Sequence, residues 1–221
     1  MSLSRLLPVC LAALLPAAGV AAAPVNLLAN GSFENGLAGW SSAGSGARLV
    51  AYGSTDPGQN AFGETVQADT AVGPGPDAAG GSAAYFSNDH AVNATLGQIL
   101  SLSVGAYRFG FGAYAPANGM GNPADASFAL ALAGTRLGAY HVSSLPLAAW
   151  TRYAGTVNIA APGNYSLNFI FDAAGSGFAK DVVIDRVYVI AANSTVPEPA
   201  SFALALLGIA CVIAIHRRRP K

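Results

Sequence analysis

The run Tyr107-Arg108-Phe109-Gly110-Phe111-Gly112 alternates aromatic with polar or small residues at every step. Successive side chains of an extended strand point to opposite faces, so Tyr107, Phe109 and Phe111 share one face and Arg108, Gly110 and Gly112 the other. The period recurs in Tyr165, Leu167, Phe169 and Phe171, set against Ser166, Asn168 and Asp172. It is read again in Val183, Asp185, Val187 and Val189, set against Val182, Ile184, Arg186 and Tyr188. Further strands are expected at Asn26–Phe33, Ala47–Tyr52, Ala83–Ser87, Ala94–Leu100, Ala126–Leu132, Thr135–Val142 and Tyr153–Ile159. Gly, Pro, Asn and Asp punctuate these runs, and no amphipathic helix longer than a few turns interrupts them. The pattern predicts an all-β sandwich. Gly53–Gly81, with Asp56-Pro57-Gly58 and Gly73-Pro74-Gly75-Pro76-Asp77, breaks the rhythm as a loop long enough to be either functional or disordered.

Composition narrows the function classes. Of 221 residues only 10% are charged, 52% are hydrophobic and the net charge is zero. That balance hides an asymmetry. From Pro24 to Val196 six bases (Arg48, Arg108, Arg136, Arg152, Lys180, Arg186) meet ten acids (Glu34, Asp56, Glu64, Asp69, Asp77, Asp89, Asp125, Asp172, Asp181, Asp185), a net charge of −4. No basic stripe for nucleic acid exists in this body. Both cysteines, Cys10 and Cys211, lie in the hydrophobic ends, so the body has neither a disulfide nor thiol chemistry.

The two ends read as addresses. Arg5 precedes an apolar run from Leu6 to Val20 and small residues to Ala23, the layout of a secretory signal peptide over residues 1–22. At the other end Val196-Pro197-Glu198-Pro199-Ala200-Ser201 precedes a short apolar stretch, expected as a single transmembrane helix over 200–216. A basic tail over 216–221 follows, and Arg217, Arg218 and Arg219 hold it on the cytoplasmic side. The β-sandwich domain occupies residues 23–192 between them.

The Val196–Ser201 motif, short apolar helix and terminal arginines together resemble the PEP-CTERM sorting signal of Gram-negative bacteria, also known as an ice-binding protein C-terminal-type tail. The resemblance covers residues 193–221. It implies secretion machinery and an exosortase as partners. It also implies a precursor anchored in the inner membrane, and a mature protein in the cell envelope or extracellular matrix. Pro197 and Pro199 keep the motif extended, as a peptidase requires.

The body has its own resemblance. Asn26-Leu27-Leu28-Ala29-Asn30-Gly31-Ser32-Phe33-Glu34 with Gly39-Trp40 is similar to the opening of galactose-binding-like jelly-roll modules, among them carbohydrate-binding modules. Leu96-Gly97-Gln98-Ile99-Leu100, Trp150-Thr151-Arg152-Tyr153 and Val183-Ile184-Asp185-Arg186-Val187 follow in the same order. The resemblance implies a structural calcium held by Glu34 and Asp185, although many relatives carry Asp where Arg186 stands here. The alternative is that Glu34 caps a turn and Asp185 pairs with an arginine.

Catalytic signatures are absent from the sequence: no Gly-x-Ser-x-Gly, no His-Glu-x-x-His, and Gly44-x-Gly46 opens no helix. His90 and His141 read as surface residues. Sugar-binding surfaces use exposed aromatic faces, for which Tyr52, Tyr85, Tyr114 and Tyr140 are candidates, each with core packing as its alternative, whereas Trp40 and Trp150 are read as core residues. The reading is an exported, non-enzymatic envelope or matrix protein that binds polysaccharide or serves as a structural component. The alternatives are a carbohydrate-active enzyme or its accessory module, and an ice- or surface-binding protein.

Overall fold

The computed structural model describes residues 24–44, 47–70, 75, 77–78, 80–175 and 177–192. The expected signal peptide, sorting motif, transmembrane helix and basic tail lie outside the described residues. Among the described residues no helix is long and apolar enough to cross a membrane.

Among the described residues ten strands form two antiparallel five-stranded sheets. In chain order they are β1 (Ser41–Ala43), β2 (Arg48–Ala51), β3 (Ser82–Phe86), β4 (Ala94–Leu102), β5 (Gly105–Tyr114), β6 (Ser127–Leu132), β7 (Thr135–His141), β8 (Trp150–Ile159), β9 (Gly163–Asp172) and β10 (Val182–Ala191). A one-turn helix, α1 (Ala117–Met120), follows β5. One sheet runs β1-β4-β9-β6-β7, the other β2-β3-β10-β5-β8.

The alternation read from sequence sets the core. Tyr107, Phe109 and Phe111 of β5 and Ala84 and Phe86 of β3 face Leu96 of β4, Phe128, Leu130 and Leu132 of β6, and Leu167, Phe169 and Phe171 of β9. Phe86 lies 4.8 Å from Phe169, and Phe111 5.3 Å from Phe169 and 6.0 Å from Phe128, centroid to centroid. This aromatic layer holds the sheets together with no disulfide.

β10 corrects the sequence reading. Strict alternation would put Val183, Asp185, Val187 and Val189 on one face. Instead Val182, Ile184, Val187 and Val189 line the core. Between Asp185 and Tyr188 the strand advances three residues while β5 advances two, from Gly112 to Gly110. This is a β-bulge centred on Arg186 at φ 51°, and it reverses the parity of everything after it.

The expected strand Asn26–Phe33 is not a strand either. Two backbone bonds tie it to β10, from the Leu27 N–H to the Val189 carbonyl (2.8 Å) and from the Val187 N–H to the Gly31 carbonyl (2.9 Å), and side chains satisfy further backbone groups. The Gln98 amide bonds both the N–H (2.8 Å) and the carbonyl (3.0 Å) of Ala29. The Asn26 carboxamide bridges to the Val187 carbonyl (3.0 Å) and the Val189 N–H (3.0 Å). Asn30 and Phe33 turn the chain at positive φ. Trp40 is buried against Phe33, its indole N–H donating to the Asn30 carbonyl.

The described part of the Gly53–Gly81 loop folds back over the outer face of the β10 sheet. Ala61 and Val66 complete a second apolar cluster there with Val50, Ala83, Tyr85, Tyr114 and Val183. Asp69, 1% exposed, is clamped between Arg152 (2.5 Å) and Arg186 (3.8 Å).

Candidate functional site

The connections leaving β3, β5 and β9 meet at one end of the sandwich, and the Gly53–Gly81 loop reaches them with Phe62. Between them lies a cavity of about 210 Å³ lined by Phe62, Ser87, Asp89, Asn118, Gly119, Asn122, Phe178 and Asp181. Phe62 is 56% and Phe178 71% exposed, an unusual position for phenylalanine. Both rings are presented by backbone in the left-handed region, φ 47° and 52°, which bulky residues rarely adopt.

The polar side chains are firmly placed. Asn118 donates to the Phe62 carbonyl (2.6 Å), and Asn122 to the Ala179 carbonyl (2.6 Å). Asp89 accepts from the Ala179 N–H (2.8 Å). Asp181 is 4% exposed, and its Oδ2 accepts from the Tyr85 hydroxyl at 2.5 Å. Gly119 makes room for it: a Cβ there would stand 2.6 Å from the Asp181 Cβ. Burial pushes the Asp181 carboxyl up to about 6, against the opposing pull of the Tyr85 hydrogen bond; the Asp89 charge raises it further and Arg48 lowers it. Burial and Asp181 together hold the Tyr85 phenol well above the usual range.

The tyrosines chosen from sequence do not gather here. Tyr85 is fully buried and backs the cavity through its bond to Asp181. Tyr114 is buried, its ring tilted against Trp150 at 5.4 Å between centroids, its phenol raised to about 12 by burial and by Glu64. Tyr52 is half-buried and donates to Asp185 Oδ2 at 2.5 Å. Trp150 is half-buried and donates to the Gln67 carbonyl. Tyr140 packs 3.8 Å from Tyr153, centroid to centroid. Phe62, Phe178, Asp89 and Asp181 were not singled out. The available signal was aromatics beside glycine in loops, Phe62-Gly63 and Gly177-Phe178.

Glu34 and Asp185 sit within electrostatic reach of each other. Glu34 accepts from the N–H groups of Gly81 and Ser82 at 2.9 Å. Asp185 accepts from Tyr52 and from the Arg186 N–H. The donors facing both carboxylates are thus N–H and O–H groups, whereas calcium needs oxygen acceptors. Among the described residues no three His, Cys, Asp or Glu side chains gather as a metal site. Burial, together with Asp69 and Glu34, pushes Asp185 up to about 8.

Two antiparallel sheets over an aromatic core make the body an all-β sandwich, a fold similar to that of carbohydrate-binding modules. In particular, it is similar to TmCBM61, solved in complex with β-1,4-galactotriose, with 18% identity over 76% of this chain and 99% of that one, and a TM-score of 0.50. The C-terminal family 22 carbohydrate-binding module of Clostridium thermocellum Xyn10B matches with 14% identity over 76% of this chain and 99% of that one, TM-score 0.45. Residues 195–219 match the PEP-CTERM protein-sorting motif. No curated protein matches the sequence.

Proposed function

We propose that the chain is an exported, exosortase-processed protein of the cell envelope or extracellular matrix, and that its β-sandwich binds glycan without turning it over. The sorting motif at 195–219 supports export and processing. The body is read as a jelly roll of the galactose-binding-like kind, carried between a signal peptide and a membrane-spanning precursor helix. Glycan binding rests on one observation: two exposed phenylalanine rings flank a cavity whose floor holds carboxylates and carboxamides. Rings offer a surface to the apolar faces of sugars, and fixed polar groups orient their hydroxyls.

A glycan array probed with the full chain tests this. Binding to extracellular polysaccharides is expected, weakened at least about tenfold in Phe178→Ala. Absence of any glycan ligand would favour a purely structural role. The paired carboxylates Asp89 and Asp181 support a second reading, a carbohydrate-active enzyme, because glycosidases use two such groups. Release of new reducing ends from a bound polysaccharide, lost in Asp181→Asn, would establish it. Calcium at Glu34 and Asp185 would have to displace the donors now facing them. A calcium-dependent rise in melting temperature, lost in Asp185→Ala, tests that proposal.

A further inference from the structure

We propose that the cavity between Phe62 and Phe178 selects a sugar bearing a free, protonated amine, the unit of a deacetylated hexosamine polysaccharide. This rests on the reading of that cavity as a glycan site and names the class of glycan it takes.

The lining contains two carboxylates, Asp89 and Asp181, and no cationic side chain. The nearby bases are held elsewhere. Lys180 donates to the carbonyls of Met120 and Asn122, both at 2.7 Å. Arg48 does not line the cavity: it sits 4.7 Å from the Phe62 ring centroid and 5.1 Å from that of Tyr85 and donates to the Asn60 carbonyl, so its charge reaches Asp181 only from a distance. Asp181 is more than nine-tenths buried yet lines the cavity, and among the described residues its hydrogen bond comes from Tyr85 and falls on Oδ2. Its Oδ1 keeps acceptor capacity that no described residue uses.

A carboxylate in that state gains most from a group that brings a donor and a positive charge together. A sugar hydroxyl supplies only the donor. A uronic acid adds a third negative charge beside two existing ones. An N-acetyl group retains a donor but removes the charge. An ammonium brings charge and three donors together, and charge-assisted bonds are the stronger kind. The faces of Phe62 and Phe178 also attract a cation.

Calorimetric titration of the full chain at pH 7 distinguishes these ligands. The probes are glucosamine oligomers, N-acetylglucosamine oligomers of equal length, oligogalacturonate, and calcium alone. The amino oligomer should bind at least about tenfold tighter than its acetylated counterpart. Asp181→Asn and, separately, Asp89→Asn should reduce that preference while leaving weaker binding of the acetylated oligomer intact. Phe178→Ala should weaken both. Unchanged melting temperatures would show that the variants fold, and Asp89→Asn carries the test if Asp181→Asn does not. Equal affinity for the two oligomers, or a preference that survives both carboxylate variants, would overturn the amine proposal. If Phe178→Ala still weakened binding in that case, the glycan site itself would stand. Calcium binding lost in Asp181→Asn would reassign the carboxylates to a metal ion. Failure of all three oligomers to bind would overturn the amine proposal, and failure on the glycan array as well would remove the glycan reading with it.

Discussion

Asp69 shows how much one side chain can hold in this protein. It reaches down from the long loop and meets Arg152 and Arg186 on the sheet, almost out of contact with solvent. Removing one member of a buried ionic group leaves uncompensated charge. Asp69→Ala is therefore expected to cost about 3–5 kcal/mol, read from denaturant unfolding. Asp185 acts through protons. Folded, its carboxyl is pushed up to about 8, whereas the unfolded chain ionises it near 3.8. The folded state holds the extra proton between these values, so stability is fully present below about 3.8 and falls as pH rises through about 8. Asp181 acts with the same sign up to about 6. Melting temperature should decline from pH 4 to pH 9, and Asp185→Asn should flatten the part above pH 6.

At the scale of elements, β5 and β10 carry the lesson. The alternation in Tyr107–Gly112 was legible because β5 is regular along its length. The two registers of β10 were not, because a bulge inserts one residue whose effect depends on pairing with a strand some 70 residues earlier. Gly110 pairs with Tyr188 of β10 on one side and Ala154 of β8 on the other. A Cβ there would strike the Tyr153 carbonyl oxygen of β8 and come within 2.7 Å of the Tyr188 hydroxyl. Gly110→Ala should lower stability by about 1–3 kcal/mol, measured by urea unfolding. The Asn26–Phe33 segment was misread for a related reason. Apolar residues near Asn and Ser resemble a strand locally, but distant groups, Gln98 and the β10 backbone, decide where its hydrogen bonds go.

For the molecule as a whole, the sorting signal predicts a processing event. Intact-mass measurement of the protein from its host should show a C-terminus near Val196–Ser201, without Arg217, Arg218 and Arg219. A mature form that retains the arginines would mean a permanent anchor instead. The sequence by itself determined the β architecture and the sorting motif, because alternation and a linear tripartite tail are written in consecutive residues. Only the tertiary structure decided the site. Phe62, Asp89, Asn118, Phe178 and Asp181 come from four separate connections, each unremarkable as a sequence. Their chemistry arises from the closing of two sheets, which brings those connections to one end and buries Asp181 beside Tyr85. Burial and convergence are properties of packing, and no local pattern encodes them.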